Sequence, residues 1–147
     1  MSERRKSRAR RRIQYAALPY RATRTSELEI MLVTSRGTQR WIIPKGWPKI
    51  GLSPHELAAE EAFEEAGIAG KISKSSIGSY SYDKALGRGG TARCSVKVFP
   101  IEVKRQHRSW PEKRERQTGW FTPDDAARFI REPRLRRIIR NFAKQRS

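Results

Sequence analysis

The sequence has a single cysteine, Cys94, and only two histidines among its 147 residues. One cysteine cannot form an internal disulfide bond and suits a reducing compartment, so we expect a cytoplasmic location. The sequence also lacks a P-loop, a Cys–His catalytic pair and the Cys/His spacing of a zinc site. These absences remove several common kinds of enzyme from consideration.

Apolar residues are also scarce, at 36% of the chain, while charged residues reach 33%. No apolar run approaches the ~18 residues of a membrane-spanning helix. The basic N-terminus lacks the apolar segment of a secretory signal peptide. We therefore expect no membrane partner, and the length favours one domain with its own core.

Acidic residues are few, with fifteen against 33 Lys and Arg, which gives a formal net charge of +18. Such a surface attracts polyanions, including polyphosphates and nucleic acid. Residues 1–12 carry seven Lys and Arg against one Glu. They predict a disordered basic arm, either a solubilising tail or a segment that contacts phosphates.

The few acidic residues are concentrated in one place, because residues 56–65 hold five of the fifteen and contain no Lys or Arg. Ser53 is a suitable N-cap, Pro54 suits the first helical position, and Gly67 suits the C-terminal stop. The segment therefore predicts a helix over residues 54–66.

At about 100° per residue, Glu61, Glu64 and Glu65 share one face of this helix. Their charges repel one another, and a divalent cation would relieve that repulsion. Ligation by oxygen alone suits Mg²⁺ or Mn²⁺. The alternative is a solvated acidic face on a surface helix.

The stretch over residues 46–68 resembles the Nudix box, G-x(5)-E-x(7)-R-E-U-x-E-E-x-G-U, in which U is a bulky apolar residue. The matching positions are Gly46, Glu61, Glu64, Glu65, Gly67 and Ile68. Two positions depart from the box, since Leu52 replaces its first Glu and Glu60 replaces its Arg. In the family those two residues support the loop and helix, so their replacement is expected to affect the efficiency of the site more than the fold. The candidates for a basic substitute of the Arg are Lys45, Lys49 and Arg40.

The resemblance implies an α/β fold, a Nudix-type α/β/α sandwich with a mixed β-sheet, over residues 13–147. It also implies that Glu61, Glu64 and Glu65 bind the metals that activate water and neutralise a diphosphate. Because Glu60 adds negative charge beside them, we expect some of these carboxylates to have a raised pKa.

The segment before the box is similar to that of diphosphoinositol polyphosphate phosphohydrolases and diadenosine polyphosphate hydrolases. A strand is followed by a Ser-Arg loop, and then by Arg-Trp-Ile-x-Pro. The resemblance implies substrate binding by Ser35, Arg36, Arg40, Lys45, Gly46 and Arg116. It also offers Glu115 as a further metal ligand or base, with a solvated ion-pair partner as the alternative.

The remaining sequence predicts further strands and two further helices. Strands are expected over residues 13–21, 28–34, 41–43, 72–82 and 93–103, with a turn over residues 83–90. Pro100 and a shift in the apolar alternation beside it suggest a bulge or a sheet edge. Thr122 predicts a helix N-cap, and residues 133–144 predict a final helix.

Three functions remain open. The first is a metal-dependent hydrolase that cleaves a phosphoanhydride bond in a nucleoside- or inositol-polyphosphate-type small molecule. The second is an RNA 5′-pyrophosphate hydrolase, suggested by the charge of +18. The third is a non-catalytic polyanion-binding module, suggested by Leu52 and Glu60 in the box.

Overall fold

The computed structural model describes residues 12–87 and 89–146. Its strands are β1 (Arg12–Ala22), β2 (Leu28–Thr34), β3 (Trp41–Ile42), β4 (Lys45–Gly46), β5 (Ile68–Ile72), β6 (Gly78–Ala85), β7 (Thr91–Gln106) and β8 (Thr118–Phe121). Its helices are α1 (Pro54–Ala66), α2 (Pro123–Phe129) and α3 (Pro133–Arg146). The predicted basic arm lies outside the described residues except for Arg12, which begins β1.

One sheet contains all eight strands, and its centre is the parallel pair β1 and β7. The path β3-β2-β1-β7-β5 is extended by β4 on β1, β6 on β7 and β8 on β2. Every pairing other than β1 with β7 is antiparallel. The sheet is therefore mixed, as predicted.

Helices cover both faces of this sheet. On one face, Ala58 and Ala62 of α1 pack in a core cluster with Ala17 and Phe99 of the central strands. On the other face, the core cluster joins α2 and α3 to the sheet through residues such as Ile139. The predicted α/β/α sandwich is confirmed. No helix in the described part of the chain is long and apolar enough to cross a membrane.

Helix α1 has the predicted bounds because both of its ends are specified locally. The backbone N–H of Ser53 donates to Glu56 Oε1 at 2.9 Å, which is half of a capping box. Gly67 follows the helix with φ 71°, in the left-handed region, and its N–H donates to Phe63 O at 2.8 Å. Leu57 lies on the buried face beside Glu61 because this face packs on the sheet.

The structure differs from the sequence prediction in several details. The strand β5 begins directly after Gly67, where no strand was expected, and residues 73–77 of the predicted strand lie between β5 and β6. Strand β6 extends into the predicted turn as far as Ala85. Pro100 is at neither an edge nor a bulge. It pairs with the central strand β1 on one side. On the other side of β7 it lies between the segment that pairs with β6 and the segment that pairs with β5. The apolar alternation shifts there because successive residues enter different cores, Val98 on one face and Phe99 on the other.

We expect Gly67→Ala to destabilise the fold more than Gly51→Ala. Both glycines have positive φ, 71° and 92°, so both substitutions strain the backbone. A Cβ at Gly67 would also lie 2.3 Å from Cε3 of Trp110, whereas a Cβ at Gly51 would meet nothing within 4 Å. Chemical denaturation should show a loss of about 1 kcal/mol for Gly51→Ala and clearly more for Gly67→Ala. Equal losses would contradict the packing argument.

Candidate active site

The site is built where the start of the box loop meets helix α1. Gly46 lies in β4, opposite Tyr15 of β1. A Cβ on Gly46 would lie 2.4 Å from Cδ of Glu61, closer than any real contact. Only glycine therefore allows the strand to approach the Glu61 carboxylate this closely.

Glu61 and Glu65 are buried side by side, with only 8% and 4% of their surfaces exposed. The two carboxyl groups interact with each other, which contributes to the raised pKa of Glu65. The backbone N–H of Lys45 donates to Glu65 Oε2 at 3.3 Å, which ties the carboxylate to β4. Glu65 Oε1 lies 3.9 Å from Arg116 Nη2 and has no hydrogen-bond partner among the described residues.

Burial raises the pKa of both carboxyl groups. Desolvation is the largest cause for Glu65, whose pKa rises to about 8 although Arg116 opposes the shift. Desolvation likewise raises the pKa of Glu61. The expected direction is therefore present, but burial rather than repulsion from Glu60 is the main cause.

Glu64 does not join this pair. Its Oε1 lies 3.8 Å from Nζ of Lys49, which also lies 3.5 Å from Glu60 Oε2. Lys49 is thus a basic residue placed beside the box carboxylates, where the family's Arg is missing. Within residues 12–87 and 89–146, no three His, Cys, Asp or Glu side chains are arranged to hold a metal ion. The structure brings together two of the three predicted metal ligands.

A cavity of about 540 Å³ opens beside Glu65. All six residues predicted to bind substrate line it: Ser35, Arg36, Arg40, Lys45, Gly46 and Arg116. Distant parts of the sequence thus meet around one cavity, which has a basic wall and is also lined by the carboxylates of Glu65, Asp83 and Glu112.

The two arginines of the Ser-Arg loop have different surroundings. Arg36 is mostly exposed, and its Nη1 donates to Glu115 Oε1 at 3.0 Å. Arg40 is partly buried, and its Nη2 lies 3.2 Å from Oε2 of the buried Glu132. Its Nη1 is buried without a hydrogen-bond partner among the described residues. Ser35 closes the loop, since its Oγ accepts from the N–H of Arg40 at 3.2 Å.

Lys45 and Arg116 are held by neighbours on the cavity wall. Lys45 Nζ lies 5.0 Å from the ring centroid of Tyr82, and desolvation lowers its pKa to about 8. Arg116 Nε donates to Glu112 Oε1 at 2.7 Å, and its Nη1 donates to Thr34 O at 3.1 Å. These bonds make Arg116 a support of the wall that also faces Glu65.

Three participants were missed from the sequence: Glu112, Glu132 and Tyr82. The spacing i,i+4 between Glu112 and Arg116 is a local signal that could have identified their ion pair. Glu132 and Tyr82 contact Arg40 and Lys45, which are distant from them in the sequence, and no local sequence pattern indicates these contacts.

Comparison with known proteins relates this arrangement to a family. No protein-family model matches the chain. The mitochondrial Nudix hydrolase 12 of Arabidopsis thaliana is 25% identical over 153 residues, which cover 90% of this chain and 73% of that protein. Diphosphoinositol polyphosphate phosphohydrolase 3-beta of Bos taurus is 26% identical over 117 residues, with 78% and 66% of the two chains covered.

The fold comparison agrees with the sequence comparison. The crystal structure of a C. elegans Ap4A hydrolase superposes with a TM-score of 0.65 at 16% identity and covers 93% of this chain and 99% of that one. The resemblance to the Nudix hydrolases that was inferred from residues 46–68 is confirmed.

The buried pair predicts a pH dependence of the metal-free protein. The pKa of Glu65 is raised in the fold from 4.5 to about 8, so the folded state binds more protons than the unfolded state between these values. In EDTA, the free energy of unfolding should therefore fall as the pH rises from about 5 to 8. Glu65→Gln should flatten this slope, whereas the remote Glu102→Gln should retain it. An identical slope in Glu65→Gln would contradict the assignment.

Proposed function

The relatives and the fold support a Nudix-type diphosphate hydrolase, and we propose that this chain uses Mg²⁺ or Mn²⁺ to cleave a phosphoanhydride bond in a polyphosphate small molecule. The substrate is of the nucleoside- or inositol-polyphosphate type. The observation that carries the proposal is the cavity in which the basic residues Arg36, Arg40 and Lys45 share a wall with Glu65.

The carboxylates beside the cavity fit a hard divalent cation. Glu61 and Glu65 offer only oxygen, which Mg²⁺ and Mn²⁺ prefer. Glu65 Oε1 is buried and lacks a hydrogen-bond partner among the described residues, which is costly unless another group contacts it. Glu61 and Glu65 would hold the cation, with Glu64 as the third candidate on the same helix. The bound cation would polarise phosphoryl oxygens and lower the pKa of a coordinated water.

The chain's own cations would bind and orient the polyphosphate. Arg36 lies at the exposed side of the cavity, and its planar guanidinium can donate two parallel hydrogen bonds to a phosphate. The unpaired Nη1 of Arg40 is a second donor, while Glu132 fixes the other end of the guanidinium. Glu115, paired with Arg36, is the candidate for accepting a proton from the attacking water.

RNA with a 5′-pyrophosphate is a second candidate substrate because the chain carries a net charge of +18. Hydrolysis of this RNA would cleave the same kind of bond with the same carboxylates. The two candidate substrates differ only in the group attached to the phosphates. A substrate panel separates the two proposals.

The test is turnover of four substrate classes with Mg²⁺ and with Mn²⁺. These are a dinucleoside polyphosphate, a nucleoside diphosphate sugar, a diphosphoinositol polyphosphate and a 5′-triphosphorylated RNA. We expect metal-dependent cleavage of a small molecule, and a loss of about 100-fold or more in kcat for Glu65→Gln. The matched control Glu102→Gln, on the far part of β7, should retain activity.

Two outcomes would overturn the proposal. Cleavage of the RNA alone would make the chain an RNA 5′-pyrophosphate hydrolase. No cleavage of any class, with binding of the same compounds retained, would make it a polyanion-binding module with a degenerate box.

A further inference from the structure

We propose that Trp47 is the stacking platform for a nucleobase, so that the substrate of the proposed hydrolase is a nucleoside polyphosphate rather than an inositol polyphosphate. This inference rests on the proposed function and deepens it. Trp47 is 40% exposed and lines the cavity that also contains Lys45 and Glu65.

Trp47 differs from the other tryptophans in its surroundings. Trp41 packs against Phe121 at 5.0 Å, Trp110 lies under Lys113 Nζ at 5.2 Å, and Trp120 lies under Arg21 at 3.8 Å. Among residues 12–87 and 89–146, Trp47 has no such aromatic or cationic partner. With 40% of the residue exposed, its indole is therefore the tryptophan ring that a ligand can contact without displacing an aromatic or cationic neighbour.

The position of Trp47 is fixed although its ring is exposed. It directly follows Gly46, which is held between Glu61 and the β1 residue Tyr15. The backbone is thus held in place at Gly46, the residue directly before Trp47. A ligand that stacks on the Trp47 ring would therefore bind to a side chain whose backbone is already positioned.

Trp47 also connects two kinds of surface. It lines the polar cavity and, with Arg12, Ile13 and Pro48, an adjoining open pocket. Ile13 is 48% exposed, so this second pocket has an uncovered apolar wall. A nucleotide fits this arrangement of surfaces. Its flat base would lie in the open pocket with the apolar wall, and its phosphates would lie in the basic cavity.

The spacing along the chain suits one nucleotide. Lys45 and Trp47 are two residues apart in nearly extended chain, about 7 Å between their Cα atoms. A phosphate near Lys45 and a base on Trp47 can therefore belong to the same nucleotide. An inositol ring offers no aromatic face, so it would gain little from the exposed indole.

The test compares two uncleavable ligands, α,β-methylene-ADP and methylenediphosphonate, by calorimetry in the presence of Mg²⁺. They share the phosphate mimic and differ in the nucleoside. The wild type should bind the nucleotide more tightly, and Trp47→Ala should reduce the ratio of the two affinities by about ten-fold. Trp47→Phe should keep most of the ratio because its ring can still stack.

The matched control is Ile50→Ala, because Ile50 lies in the same loop, is fully exposed and lines neither pocket. It should leave the ratio unchanged, and thermal unfolding should show all three variants folded. An unchanged ratio of affinities in Trp47→Ala would overturn the inference.

Failure of this inference can be distinguished from failure of the proposed function because binding is measured without turnover. Hydrolysis by the wild type with an unchanged ratio in Trp47→Ala would remove only the nucleobase platform. A ratio that depends on Trp47 without hydrolysis of any substrate would remove the hydrolase and retain the platform.

Discussion

The site depends on one close approach, that of the Gly46 backbone to the Glu61 side chain. With a Cβ position only 2.4 Å from Cδ of Glu61, the strand leaves no room for any side chain other than hydrogen. This contact brings the neighbouring N–H of Lys45 to Glu65, which then accepts a hydrogen bond from β4. The box glycine thus sets the geometry of both buried carboxylates.

The second constraint is electrostatic. A chain with a net charge of +18 keeps the two carboxyl groups of Glu61 and Glu65 buried beside each other. Their pKa values are raised because burial disfavours the charged form of each group. Arg116 and Lys45 offset part of this effect from the cavity wall. The carboxylates and the basic wall therefore form one unit, in which a cation would satisfy the acids and a polyphosphate would satisfy the bases.

The sequence was most informative where the signals are local. Helix α1 has the predicted bounds because Ser53 and Gly67 specify its ends within a few residues. The strand β5 was missed because its five residues have little apolar alternation and are stabilised by pairing with β7, far along the chain. Pro100 misled the prediction for the same reason, since the gap between two pairing partners cannot be recognised locally.

The candidate site shows the same division. Helical periodicity placed Glu61, Glu64 and Glu65 on one face, but it could not show that Lys49 forms ion pairs with both Glu60 and Glu64. Periodicity describes one helix alone, whereas Lys49 is carried by the loop that precedes the helix. The role of Glu132 could likewise not be predicted from the sequence, because its ion pair with Arg40 joins segments that are adjacent only in the fold.

The most direct test of the account is a Mn²⁺ titration followed by electron paramagnetic resonance on the wild type, Gly46→Ala and Gly87→Ala. Gly87 is exposed, and a Cβ there would meet nothing within 4 Å, so it controls for the substitution itself. The wild type and Gly87→Ala should bind Mn²⁺ with equal affinity, whereas Gly46→Ala should bind it about ten-fold more weakly or not at all because its methyl group displaces Glu61. Equal Mn²⁺ affinity in all three proteins would contradict the account.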